Sequence, residues 1–236
     1  MGALSEKVIV ITGAGTGLGR EAALEAVKQG GKVSICCRSI GSIEQMKKDL
    51  SPYQGQFLVT QADVSIEQDV NRFIEATISQ FGTIDVLINN AAVFENYDIV
   101  DSTLESWNHH FENNVTSTFL MTRACIPIMR QQRSGQIISI TSGLARQGAA
   151  GFSAYSASKA ALEALTFTAE EEEAKNGITA TVFNPGVMKT KLQSRGDDPS
   201  EVAPYLLQLL TNTDLPKNRV ITVDEIKSRA NEKVTF

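Results

Sequence analysis

Short apolar runs of strand length alternate along this chain with longer stretches whose apolar residues recur every three or four positions. That alternation is its tightest constraint on folding. KVIVIT (7–12), KVSICC (32–37), QFLVTQ (56–61), IDVLINN (84–90), GQIISITS (135–142), GITATVFNPG (177–186) and NRVITV (218–223) read as strands. Helical patterning covers about 18–29, 41–50, 66–81, 103–132, 153–175 and 199–210. Strands that are apolar on both faces are buried on both faces, and a helix between successive strands makes them parallel. The predicted fold class is α/β: a doubly wound parallel sheet of about seven strands with helices on both faces. Its ligand belongs beyond the carboxyl ends of the strands, near the point where strand order reverses.

No composition shift marks a linker and no fixed period repeats, so residues 1–236 read as one domain. A net charge of -5 without a basic block sets aside nucleic acid and anionic membrane as partners. No run of 18 apolar residues is present, so no membrane span is expected. The first apolar run reads as a strand rather than a leader peptide, and the expected location is cytoplasmic. The three cysteines are an odd count without an export signal, which argues against a disulfide framework. Cys36 and Cys37 are adjacent and cannot easily pair; Cys125 lies in an apolar helical stretch and reads as core. His109 and His110 are neighbours on a helix, with no set of cysteines or carboxylates to complete a metal site. They are expected to be exposed, and no metal is expected. Glu170 to Glu173 reads as a solvated face.

TGAGTGLG (12–19) lies between a strand and a helix. Gly13, Thr16, Gly17, Leu18 and Gly19 would form a turn that lets a pyrophosphate approach the backbone and meet free N–H groups at the helix start. Alone, such a turn needs no ligand. Tyr155 and Lys159 stand four apart, hence on one helix face. An ammonium near a phenol favours the phenolate and lowers a pKa that is ordinarily near 10, so the pair can exchange a proton with an alcohol or carbonyl oxygen. Alone, it is also a common surface pair.

The ordered set is more specific: the glycine turn, NNAA (89–92), WNHHFENN (107–114), Ser142, YSASK (155–159), NPG (184–186) and Thr190. From about Lys7 to Asp224 it resembles the short-chain dehydrogenase/reductase family, in particular its single-domain branch of 3-oxoacyl-carrier-protein reductases. The resemblance implies a Rossmann fold and an oxidoreductase that moves a hydride between a nicotinamide and a carbonyl or secondary alcohol. It implies Tyr155 as general acid or base and Lys159 as the residue that tunes it and bonds the nicotinamide ribose. Ser142 would position the substrate oxygen, and Asn114, rather than its neighbour Asn113, would hold a water that relays protons to Lys159. By the same resemblance Asp63 and Val64 contact the adenine, Asn90 and Ala91 line the adenosine side, and Pro185, Gly186 and Val187 meet the carboxamide. Thr190 would steady the pyrophosphate region. Ala92 stands where relatives carry glycine. Phe94, Leu144, Ala145, Phe152 and Met188 would line an apolar pocket.

Relatives that prefer NAD end the second strand in an acid that holds both ribose hydroxyls. Here Cys37 takes that place, followed by Arg38 and Ser39, which could hold a 2′-phosphate. NADP(H) is therefore expected over NAD(H). The alternatives are an NAD-dependent alcohol dehydrogenase of the same fold and a non-catalytic dinucleotide-binding regulatory protein. The resemblance also implies a homodimer or homotetramer paired through the helices at about 103–132 and 153–175. The tail 224–236 departs from relatives, with Glu225 and Ile226 in place of glycines that pack in the tetramer. A short segment near 187–200 implies an open substrate site.

Overall fold

The computed structural model describes residues 2–189, 195–212, 216 and 218–232. Among them seven parallel strands form one sheet in the order β3-β2-β1-β4-β5-β6-β7. The strands are β1 (Val8–Ile11), β2 (Lys32–Cys37), β3 (Phe57–Gln61), β4 (Val86–Asn89), β5 (Gly135–Ile140), β6 (Ile178–Asn184) and β7 (Val220–Thr222). The helices are α1 (Gly17–Lys28), α2 (Ile40–Leu50), α3 (Glu67–Phe81), α4 (Leu104–Phe111), α5 (Ser117–Gln132), α6 (Ser153–Glu173), α7 (Pro199–Gln208) and α8 (Val223–Glu232). Strand order reverses between β1 and β4, which opens a crevice above their carboxyl ends. No helix of the described residues is long and apolar enough to cross a membrane.

Successive residues of a strand face opposite sides, and both sides here are apolar cores. Ile9, Ile11, Val33, Ile35 and Cys37 pack with α1, α2, α7 and α8. Val10, Cys36 and Leu87 pack with Phe73, Leu120, Met121 and Cys125 of α3 and α5. The adjacent cysteines thus enter two different cores. Burial pushes the Cys36 and Cys125 thiols up to about 12 and that of Cys37 up to about 11, so none is a ready nucleophile.

Two expectations need correction, and one helix is added to the predicted set. The helix expected over 103–132 is divided by a π turn at Glu112–Thr116. Ser117 and Thr118 turn their hydroxyls back onto the carbonyls of Asn113 and Asn114 at 2.6 and 3.0 Å, competing with ordinary helix bonds. Glu170 and Glu173 are buried: Glu170 accepts from the Asn218 amide at 3.0 Å, and Glu173 is paired with Arg130 and Asn176. The tail beyond β7 is helical as far as Glu232. Thr222 and Glu225 each accept the other's backbone N–H, at 3.2 and 3.1 Å, a reciprocal cap that starts α8. Lys227 of α8 then bonds Asp197 at 2.7 Å. Asp197 in turn closes the base of the loop after β6, through Val187 and Lys189 at 2.9 Å each.

Candidate active site

The glycine turn caps the carboxyl end of β1. Gly13 and Gly17 hold φ of +64° and +59°, where side chains are strained. A Cβ on Gly13 would stand 2.7 Å from Ala91 Cα, and one on Gly19 would stand 2.4 Å from Asn90 Nδ2. Thr16 is the extended N-cap of α1, and its side chain makes no cap hydrogen bond. Leu18 is buried beneath the turn. First-turn N–H groups of α1 and a floor with no room for a Cβ suit the pyrophosphate of a dinucleotide.

Asn90 has a role its sequence position did not reveal. Its amide donates to the carbonyls of Thr12 and Gly13 at 2.9 and 3.2 Å, tying the turn to the end of β4. Thr12, absent from the predicted set, completes this joint: its buried hydroxyl accepts from the backbone of both Asn90 and Ala91 at 3.0 Å. A threonine that ends a strand carries no pattern by which to single it out.

At the adenosine end, Arg38 is half-exposed and donates to Asn113 Oδ1 at 3.0 Å, with Asp63 at 3.8 Å. Asn113, ranked below Asn114 by the sequence, is therefore the residue that reaches Arg38. Arg38, Gln61, Asp63, Asp69 and Arg72 line a cavity of about 300 Å³. Ser39 caps α2, accepting from Ser42 N at 3.3 Å. Asp63 accepts from the Ser65 backbone and hydroxyl, and Val64 is buried. On the other side of the crevice Pro185 is buried and Gly186 takes φ +75°, its amide donating to Asn184 Oδ1 at 3.0 Å. Val187 is exposed. Thr190 lies outside the described residues.

Ser142, Tyr155 and Lys159 converge at the end of β5. Ser142 follows the strand, caps a short 3-10 turn at Gly143–Ala145 and lies close enough to the Tyr155 phenol to favour its ionised form. Lys159 Nζ donates to the Ile140 carbonyl at 2.8 Å and lies 5.9 Å from the centre of the Tyr155 ring. Both groups are shifted toward their neutral forms. Burial pushes the phenol up, against the pull of Ser142, and lowers the buried Lys159 to about 8. The lowering of Tyr155 expected from Lys159 is not seen in this structure: burial raises the phenol and the opposing pull comes from Ser142.

Asn114 is fully buried in the π turn. It accepts from Val93 N at 2.8 Å and donates to Val93 O and Ser158 Oγ at 3.1 and 2.9 Å. Phe94 stacks on Phe152 with ring centres 4.9 Å apart and meets Tyr155 edge-on at 4.8 Å. His110, expected to be exposed, is 1% exposed, its Nδ1 2.8 Å from the Ser106 carbonyl and its Nε2 accepting from Glu95 N. A larger cleft of about 790 Å³ is lined by Glu95, Tyr97, Leu104, Ser106, His109 and Glu112 among others, and by none of the predicted residues. It lies on the α4 side of Glu95, and the converging groups at Tyr155 locate the chemistry better than its volume does.

Comparison with known proteins agrees with this geometry. The family profile described as short chain dehydrogenase matches residues 7–200. A 3-oxoacyl-[acyl-carrier-protein] reductase of Synechocystis sp. is 33% identical over 193 residues, 81% of this chain and 78% of that protein. An uncharacterized oxidoreductase of Staphylococcus aureus is 30% identical over 236 residues, 97% of this chain and 99% of that protein. Among solved structures, levodione reductase superposes with a TM-score of 0.87 at 26% identity, covering 96% of this chain and 99% of that one. A short chain dehydrogenase from Mycobacterium smegmatis gives 0.85 at 28%, covering 94% and 93%.

Proposed function

Since the chain belongs to the short-chain dehydrogenase family and is an NAD(P)-dependent oxidoreductase, we propose that it is an NADP-dependent reductase of small carbonyl compounds with Tyr155 as proton donor. The observation that carries this reading is the meeting of Ser142, Tyr155 and Lys159 beside an aromatic wall at the end of β5. The bound dinucleotide supplies the hydride. Ser142 holds the substrate oxygen next to the phenol, and Tyr155 passes its proton to that oxygen as charge develops there. A phenol kept protonated by burial is ready for this direction of reaction. Lys159, still mainly an ammonium below pH 8, stabilises the phenolate left behind and can return a proton to it. Asn114 supports the same helix through Ser158, whose hydroxyl bonds the Tyr155 carbonyl at 2.8 Å; the water relay to Lys159 belongs to this reading too.

The choice of NADP rests on Arg38 and Arg72, which line one cavity at the end of β2 and β3 with no acid at position 37. Phe94 and Phe152 favour a ketone with an apolar or ring-bearing body, a class that suits the named reductase relatives. Exposed Leu104, Trp107 and Phe119 on α4 and α5 support pairing of two copies through these helices. The test is a panel of ketones and aldehydes followed by NADPH absorbance, with Tyr155→Phe beside the wild type. Turnover that Tyr155→Phe reduces at least about a hundredfold supports the reading. Turnover unchanged in that variant, or a wild type that binds nucleotide and reduces nothing, overturns it.

A further inference from the structure

The segment 93–97 leaves the carboxyl end of β4 and forms one wall of the site. Its backbone is held at three points. Asn114 brackets Val93 by both its N–H and its carbonyl. His110 Nε2 accepts from Glu95 N at 3.1 Å. Tyr97 N donates to the Gly151 carbonyl at 2.9 Å. Phe94 sits between the first two points, against Phe152 and Tyr155. His110 and Asn114 are four residues apart, so one helical surface grips the neighbours of Phe94 on both sides.

The partners of His110 define its state. The Ser106 carbonyl can only accept, and the Glu95 amide can only donate. The ring therefore donates from Nδ1 and accepts at Nε2, with the Glu95 carboxylate 3.9 Å from Nδ1. Ser106 adds a second tie: its hydroxyl donates to the Glu95 carboxylate at 2.6 Å. So α4 holds Glu95 by backbone and by side chain.

We propose that His110 is a positioning residue for the substrate. Through Glu95 it fixes Phe94, and Phe94 sets the space beside Tyr155 and so selects among carbonyl compounds by bulk. This inference rests on the reading of Tyr155 as the proton donor. His110 does not touch the reacting atoms; its ring centre is 6.5 Å from that of Tyr155. Removing the acceptor frees the Glu95 amide and lets Phe94 move, which changes the fit of a bulky ketone and leaves the dinucleotide cradle untouched.

Two variants separate positioning from general damage. His110→Phe keeps a buried ring and accepts nothing, while His110→Gln restores an oxygen acceptor near the Nε2 position. In His110→Phe the KM for the best bulky ketone should rise about five- to tenfold, the weight of about one hydrogen bond. The kcat and the nucleotide KM should stay within about twofold. The preference for bulky over slim ketones should change, and His110→Gln should recover most of it. A nucleotide KM that rises in parallel, or a Gln variant as impaired as the Phe variant, overturns the proposal. If His110→Phe does not fold, His110→Asn replaces it, because Asn reaches only toward Ser106. Amide hydrogen exchange at Glu95 reads the clamp without turnover. Faster exchange in the Phe variant and wild-type exchange in the Gln variant support the proposal; unchanged exchange in the Phe variant sinks it. A wild type that reduces no carbonyl compound defeats the functional reading, and the exchange measurement still decides the clamp.

Discussion

Replacing Lys159 with methionine should stabilise the fold while abolishing turnover. The lysine is 2% exposed, and burial lowers it from 10.5 to about 8. That drop of about 2.5 units corresponds to about 3 kcal/mol of destabilisation, at about 1.4 kcal/mol per unit. The sign follows from proton binding. Lys159 is a base whose folded pKa lies below its unfolded one, so the unfolded chain holds the proton more tightly. Stability contributed by this group therefore rises with pH between about 8 and 10.5, and the full penalty applies below about 8. Methionine has similar length and no charge to desolvate. It does leave the Ile140 carbonyl without the donor now 2.8 Å away, at a cost of about 1–2 kcal/mol.

The expected net gain at pH 7 is about 1 kcal/mol, which for a chain of this size is about 2–4 °C in Tm. Between pH 7 and pH 9 the wild-type penalty falls by about 1 kcal/mol, so the gap between the two proteins should close by a similar amount. The three buried thiols oppose stability as pH climbs above about 9, because burial raises each of them. They do so equally in both proteins and cancel in the difference. Parallel thermal unfolding at pH 7, 8 and 9 measures it. A methionine variant several degrees less stable at pH 7, or a gap that does not change with pH, would refute the reasoning.

Arg38→Ala should raise the KM for NADPH about tenfold or more and that for NADH less than about threefold, since only a 2′-phosphate loses a charge-assisted partner. Steady-state kinetics with both nucleotides decides this, and a wild-type preference for NADH sinks the cofactor reading. Thr12→Val should destabilise the protein by about 2–4 kcal/mol, because the amides of Asn90 and Ala91 lose their acceptor. Thr12→Ser should stay within about 1 kcal/mol of wild type in a denaturant melt; equal losses in both variants would assign the effect to the methyl group instead.

The sheet was legible in the sequence because each central strand is apolar on both faces and bounded by a turn, as in VIVI of β1 and VLIN of β4. The crevice was legible because Gly13 and Gly17 need a backbone that other residues adopt only under strain. What escaped was decided by contacts remote in sequence. Glu170 and Glu173 look like part of a solvated acidic run, and the approach of Asn218 and Arg130, remote in sequence, helps make their burial tolerable. Helix α8 escaped for a different reason. The pattern T-x-x-E at 222–225 was present, but reading those positions against the family's glycines hid the cap that they form.

The site shows the same division more sharply. Asn113 and Asn114 are identical in kind and adjacent, so composition cannot rank them. The π turn does: it turns Asn114 toward Val93 and α6 and leaves Asn113 on the side of Arg38. The same turn brings His110 and Asn114 against one strand-end segment. An i to i+4 pair on a helix is unremarkable until the chain it faces is known. The residues that perform chemistry are fixed in type by what they must do, which is why Ser142, Tyr155 and Lys159 can be named from the sequence. The residues that set their surroundings are constrained only by geometry. His110 needs one lone pair in one direction, and no sequence pattern records a direction.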